Sequence, residues 1–325
     1  MNPKQLSVII PTYNRLGRLK DVLTALEAQT YPLEQFEVIV VSDGSSDGTH
    51  AYLAHIQTRL QLHAIIQENQ GPAAARNAGI ARATGEIVVF LDDDVVPVPV
   101  FLAEHMRIHQ HQPAAIVLGP MLSPPAFKLS PWVYWEQEML MKQYRALEQG
   151  KWRPTARQFY TGNSSLPRSY LVAAGGFDTR FRRAEDLELG YRLARMQVQF
   201  CFNAQAIGYH YAERSWRSWI EIPYSYGRSD ILFARAGEAW LAPTLRKEFR
   251  GRHLFIRLLV MLCLDHFTLS RLFLTGLRAL AVHSYTAGWP KLARFTLSAI
   301  FNLRYYQGVA DELGGRERFL IADSR

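Results

Sequence analysis

The chain has 325 residues, of which 48% are hydrophobic and 20% charged, with a formal net charge of +8. That balance excludes collagen-like, disulfide-rich and disordered classes, and it allows one large α/β domain with an appendage, or two domains. The two cysteines, Cys201 and Cys263, are single and far apart, which argues against a metal motif or disulfide framework and suits a reducing compartment.

The basic excess is uneven. Residues 215–325 hold 16 Lys/Arg against 9 Asp/Glu, whereas residues 1–214 are almost balanced at 21 against 20. A basic tail can meet nucleic acid, an anionic membrane or an acidic partner, and charge alone does not choose. The first residues, MNPKQLSVIIPTYNR, run straight into strand-like sequence without the sections of a secretory signal. A cytoplasmic location is therefore expected.

Leu6–Pro11 and Phe36–Ser42 are short apolar runs rich in β-branched residues, each closed by turn-forming sequence, and they read as buried parallel strands. Between them Leu16, Leu19, Leu23 and Leu26 recur at helical spacing. A helix after DGSSDGTH, a strand near LHAIIQ, a helix over 72–83 and the strand EIVVFL continue the alternation. This rhythm predicts an α/β fold with an open, crossover-wound sheet. The Pro-rich stretch 119–131 is a connector. Beyond it, residues 131–152 carry five aromatic rings, Trp132 and Trp135 among them, which could stack on sugar faces or lipid chains, although such clusters more often arise from packing.

Residues 254–264 and 267–282 are strongly apolar but carry arginines and are split by Asp265 and His266. Neither supplies the roughly 20 uninterrupted apolar residues of a simple transmembrane helix. Arg250, Arg257, Arg271 and Arg278 are spaced to lie near one face of a helix. Such a basic amphipathic helix could lie at an anionic membrane surface or cap the catalytic domain with its arginines in water, and both readings stay open. The arginines alternate with Leu, Phe and Ile rather than with stacking aromatics, which argues against nucleic acid as a partner.

In open α/β sheets ligands bind beyond the carboxyl ends of the strands. Pro11, Thr12, Tyr13 and Asn14 end the first strand, Asp43 ends the second, and Asp92, Asp93 and Asp94 follow the strand before them. Arg76 and Asn77 lie near the start of a helix, where they could reach a nucleotide diphosphate. Three adjacent carboxylates repel, but become favourable when a hard divalent cation lies between them and phosphates; Mn²⁺ or Mg²⁺ suits such oxygen donors better than Zn²⁺. Further on, Glu185 and Asp186 open a predicted helix, where acidic residues also serve as caps, and His210 closes an apolar stretch.

Taken in order, SVIIPTYNR, VIVVSDGSSDGT, NQGPAAARNAGI, GEIVVFLDDDVVP, TGNSSLPR, GGFDTRF, AEDLELGYRL and YHY resemble the inverting family-2 glycosyltransferases of GT-A fold, over about residues 5 to 212. The resemblance implies a catalytic domain over 1–214, with a mostly parallel sheet flanked by helices, and a helical extension over 215–325. It implies that Asp43, with Pro11, Tyr13 and Arg76, receives the nucleotide base, and that Asp92 and Asp94 are the outer members of the Asp-x-Asp motif, towards the ribose and the metal, with Asp93 between them. His210 would join the metal or the pyrophosphate, Asp186 would be the catalytic base, Gly162, Asn163 and Ser164 would contact donor sugar or acceptor, and Trp132 and Trp135 would lie where an acceptor cleft is expected. The Gln-x-x-Arg-Trp motif of processive synthases is not found; SWRSWIE (residues 215–221) holds Trp and Arg in another arrangement. The expectation is single transfer from a nucleotide sugar, UDP-linked by preference, to a glycan or lipid-linked acceptor, in the cytoplasm or peripherally on the inner face of the plasma membrane. Two alternatives are a silent nucleotide-sugar-binding protein and a sugar-1-phosphate nucleotidyltransferase, for which PTYNRLGRLK is a poor phosphate loop.

Overall fold

A computed structural model of the chain describes residues 5–319. Its first half alternates as expected: β1 (Leu6–Thr12), α1 (Leu16–Glu27), β2 (Phe36–Asp43), α2 (Thr49–His55), β3 (Leu62–Gln67), α3 (Pro72–Arg82) and β4 (Ile87–Leu91). There follow β5 (Val95–Pro97), α4 (Phe101–His111), β6 (Ile116–Leu118), β7 (Met121–Leu122), α5 (Pro131–Glu148), β8 (Asn163–Pro167), α6 (Arg168–Ala173), α7 (Glu185–Arg195), β9 (Phe200–Phe202) and β10 (Gly208–His210). The main sheet has seven strands in the order β3-β2-β1-β4-β8-β6-β9, and β8 alone runs antiparallel to its neighbours.

The central strands β1, β2 and β4 are apolar on both faces because helices cover both. Leu6, Val8 and Ile10 of β1 point with Val38, Val40 and Val89 into one core, which α1 and α4 close with Leu19, Val22 and Phe101. Ile9, Ile39, Val88 and Phe90 point the other way, into a second core shared with Ile80 of α3, Leu171 of α6 and Leu189 of α7. A smaller sheet, β5-β10-β7, sets His210 opposite Val95, so the histidine lies one residue from the end of the Asp triplet.

The described residues form two compact units. One comprises the chain up to Phe127 together with Met139–Ala212; the other joins Lys128–Glu138 to the chain from Glu213 onward. The second unit is helical, with α8 (Trp216–Arg235), α9 (Leu241–Arg250), α10 (Leu254–Cys263), α11 (Phe267–Thr286) and α12 (Pro290–Leu313). Among the described residues no helix is long and apolar enough to cross a membrane. The single basic face expected for Arg250, Arg257, Arg271 and Arg278 does not exist, because the four fall on three helices. Gly251 caps α9, the His253 imidazole caps α10, and Asp265, in the left-handed region at φ 60°, separates α10 from α11. Only Arg271 and Arg278 share a helix.

Helices α8 and α12 approach closely enough that both contact points must be glycine. A Cβ on Gly227 would lie 2.0 Å from the Tyr305 carbonyl oxygen, and one on Gly308 would lie 2.0 Å from that of Tyr224. Alanine normally stabilises a helix over glycine by about 0.5–1 kcal/mol, whereas overpacking costs about 1–3 kcal/mol. Gly308→Ala is thus expected to lower stability, read by denaturant unfolding followed through the tryptophans; an unchanged or raised midpoint would show that the helices are not in contact here.

Candidate active site

The Asp triplet follows β4 in a tight turn, closed by Val95 N–H donating to the Asp92 carbonyl at 3.1 Å. Each carboxylate has its own partner. Asp92 accepts from Arg76 Nη2 at 2.9 Å. Asp93 accepts from Thr12 Oγ1 at 2.7 Å and from Arg15 Nη1 at 3.3 Å. Asp94 pairs with the same Arg15 nitrogen, and its other oxygen lies 3.6 Å from His210 Nε2. Burial drives the Asp93 carboxyl up to about 7 despite Arg15. Burial also opposes charge on Asp94, but His210 and Arg15 outweigh it and hold the carboxyl down at about 2. The triplet is tolerated because its members differ: Asp94 is held ionised, while Asp93 readily takes a proton.

Arg76, on α3, is buried and bonds in two directions. Its Nη1 donates to Glu185 Oε1 at 2.8 Å while Nη2 holds Asp92, so the guanidinium ties the end of β4 to the start of α7. Its Nε is buried with no hydrogen-bond partner among the described residues. Ahead of Glu185 stands Ala184, a non-glycine residue in the left-handed region at φ 60°, a strained conformation of the kind that clusters at functional sites. Asp186 is half-buried, and one of its oxygens accepts from Leu187 N–H at 2.8 Å. Burial and the neighbouring Glu185 charge raise its carboxyl above the usual range.

At the end of β2 the Asp43 carboxylate accepts from Gln67 Nε2 at 2.7 Å, Gln70 N–H at 2.9 Å and Gly71 N–H at 2.8 Å. A carboxylate offers about four acceptor positions, so about one is left. Around it Tyr13 is exposed and Pro11 half-buried. Asn14, at φ 53°, accepts from Ser46 N–H at 2.7 Å and joins the β1 and β2 loops. The Asn77 amide is committed to Phe177, donating to its carbonyl and accepting from its N–H, each at 2.8 Å.

Gly162 faces the triplet, and a Cβ there would lie 2.9 Å from Asp92 Oδ2. Asn163 and Ser164 are fully buried in β8, where the Asn163 amide donates to the carbonyls of Pro120 and Ala206 and accepts from His105. Trp132 and Trp135 belong to the helical unit. Trp132 Nε1 donates to the Arg214 carbonyl at 2.8 Å, and the Trp135 ring packs on Trp219 and Phe301. Arg15 was not foreseen among the site residues. Its signal was available, since it stands three residues past the end of the first strand, opposite three carboxylates.

Among the described residues no group of three or more His, Cys, Asp or Glu side chains could by itself hold a metal ion. Mg²⁺-type ions are typically held by one or two carboxylates and completed by phosphates and water. Asp94, ionised and beside His210, fits such an incomplete site, with Arg15 as a competing cation.

The fold is of the GT-A glycosyltransferase type. Solved structures similar to it include a mannosyltransferase from Pyrobaculum calidifontis in complex with GDP-Man and Mn²⁺ (TM-score 0.62, 22% identity, 92% of this chain and 88% of that one). Another is S. aureus TarS 1-349 in complex with UDP-GlcNAc (TM-score 0.56, 19% identity, 91% of each chain). The sequence profile of glycosyl transferase family 2 matches residues 7–173, and the chain belongs to that family. The validoxylamine A glucosyltransferase of Streptomyces hygroscopicus subsp. jinggangensis is 35% identical over 214 residues, 58% of this chain and 51% of that protein. Chondroitin synthase of Escherichia coli is 28% identical over 236 residues, 63% of this chain and 34% of that protein. The chain spans about half or less of the length of these curated relatives.

Breaking a buried ion pair by removing one partner costs about 3–5 kcal/mol, and the partial exposure of Asp92 puts this case near the lower end. Arg76→Met is therefore expected to destabilise the sheet unit by about 3 kcal/mol, measured by denaturant unfolding. Arg76→Lys, a point charge that cannot span both carboxylates, should recover only part of it.

Proposed function

We propose that the protein is a metal-assisted, non-processive, inverting glycosyltransferase. It moves a sugar from a nucleotide-diphosphate donor, UDP-linked by preference, to an acceptor hydroxyl on a glycan or lipid-linked saccharide during cell-surface glycan assembly. The observation that carries this reading is Arg76 bonded to both Asp92 and Glu185, which supports taking the strand-end carboxylates and the Glu185–Asp186 pair as one site. The bound UDP-GlcNAc and GDP-Man of the structural neighbours support a nucleotide-sugar donor.

In this assignment Asp43 takes a base N–H on its remaining acceptor position, with Pro11 and Tyr13 beside it and Thr12, Asn14 and Asn77 shaping the loops around the nucleotide, while Arg76, committed to Asp92 and Glu185, positions the site rather than the base. Asp92 meets the ribose, and Asp93 stays the inner, partly protonated member. A divalent cation, Mn²⁺ or Mg²⁺, would be held by Asp94 and His210 and would neutralise charge growing on the leaving diphosphate. Gly162 borders the donor sugar, the buried Asn163 and Ser164 support it from within β8, and Glu185 anchors the helix start that presents Asp186.

Displacement at the anomeric carbon places positive character on the sugar while the acceptor hydroxyl attacks the face opposite the diphosphate. Asp186 receives the acceptor proton as the new bond forms. Its raised pKa makes it a stronger base than an ordinary aspartate while leaving it able to ionise near neutrality. The proton ends on Asp186, the electron pair of the broken C–O bond leaves with the nucleoside diphosphate, and the configuration inverts. Two features support single transfers: the absent processive motif, and the lack, among the described residues, of membrane-crossing helices to form an export channel.

Asp186→Asn is expected to lower turnover by about 10²–10⁴-fold. Calorimetric titration with UDP and GDP in the presence of Mn²⁺ should show nucleotide binding unchanged in that variant but lost in Asp94→Ala. The base must be ionised, so the wild-type rate should rise with pH through a limb above the ordinary aspartate value of about 3.9, and the Asn variant should lack that limb. Full turnover by Asp186→Asn would remove it as the base.

A further inference from the structure

The helical unit presents a surface that the catalytic reading does not use. Between Glu248 and Asp311 the chain carries eight Lys/Arg and one acid, Asp265, and neither α10 nor α11 contains an acidic residue. More than half of the large apolar side chains exposed among the described residues fall in this stretch. A folded soluble surface does not ordinarily combine these two features.

The apolar residues are ordered. On α10, Leu254, Leu258 and Leu262 recur every four residues and are 63%, 53% and 52% exposed, while Leu259, Val260 and Cys263 on the opposite side enter the core. At the N-terminal end of this stripe Phe255 meets Phe295 of α12, with ring centroids 5.7 Å apart. At its C-terminal end Leu262 lines the same recess as Phe267, which is 81% exposed. The one acid is tied off, since Asp265 accepts from Arg316 N–H at 2.9 Å. On α11, Arg271 and Arg278 are exposed and have no carboxylate partner among the described residues, Arg278 lying instead over the Trp216 ring at 5.0 Å.

We propose that the α10–α11 face of the helical unit docks on an anionic membrane surface, with the Leu254–Leu258–Leu262 stripe and Phe267 entering the headgroup and acyl boundary and Arg271 and Arg278 meeting lipid phosphates. A ten-residue helix is about 15 Å long, half the hydrocarbon thickness of a bilayer, so α10 lies in the interface rather than across it. The charge selects this occupant. A second copy of the chain would bring the same uncompensated arginines against themselves, whereas anionic headgroups complement them. The inference is independent of the catalytic assignment.

The test is co-sedimentation of the full chain with phosphatidylcholine vesicles, with and without phosphatidylglycerol. The protein should partition onto the anionic vesicles, less so as salt rises. Leu258→Ser with Leu262→Ser, and separately Arg271→Glu with Arg278→Glu, should each weaken partitioning by at least about tenfold. Circular dichroism and thermal midpoints should confirm that both double variants stay folded. No partitioning of the wild type, or partitioning that ignores both lipid charge and these substitutions, would overturn the proposal. A dimer in analytical ultracentrifugation that the leucine substitutions dissolve would assign the face to a second copy instead and equally overturn it.

Discussion

The site depends on one buried guanidinium. Arg76 reaches Asp92 at the end of β4 and Glu185 at the start of α7, residues with nothing in sequence to join them. Desolvating a cation and its carboxylates costs several kcal/mol per ion, and the mutual attraction repays it only when geometry is good and the remaining polar atoms are satisfied. Here the two terminal nitrogens are satisfied, and among the described residues Nε has no partner. The arrangement is therefore weak as a source of stability. Its value lies in position: it fixes the acid pair relative to the strand ends, at a helix start that already carries backbone strain at Ala184.

The other carboxylates follow the same logic on a smaller scale. Arg15 contacts Asp93 and Asp94 together, yet the two titrate in opposite directions, because His210 adds to Arg15 at Asp94 while burial prevails at Asp93. The small sheet makes this possible. Its antiparallel pairing of Val95 with His210 sets the imidazole at the triplet, and Tyr211 N–H donates to the Asp94 carbonyl at 2.9 Å, holding the register. A one-residue slip would turn His210 to the opposite face.

How much of this was legible in the sequence depended on whether the cause was local. β1, β2 and β4 are apolar runs buried on both faces, and they read as strands from composition alone, whereas the edge strand β3 is only partly buried. β8 does not read as a strand because Asn163, Ser164 and Ser165 are polar, and the burial of Asn163 and Ser165 is tolerated partly because His105 and His109 of α4 bond them from far along the chain. Burial holds both imidazoles well below their usual range, so they serve there as neutral partners. The Asp triplet and the Glu185–Asp186 pair were visible as carboxylates. Their pairing through Arg76, and the part played by Arg15, were not, since a side chain's reach across a fold leaves no periodicity. The arginine face expected of one long helix failed for a local reason that spacing alone cannot register, the breaks at Gly251 and Asp265.

The central claim is that Asp186 and the strand-end carboxylates act on opposite sides of one anomeric carbon. The most direct test is proton NMR of the product formed from an α-linked UDP-sugar, with the anomeric coupling read before mutarotation or further transfer. A β-linked product is the predicted result. An α-linked product would mean that configuration is retained, and would contradict single displacement with Asp186 as base.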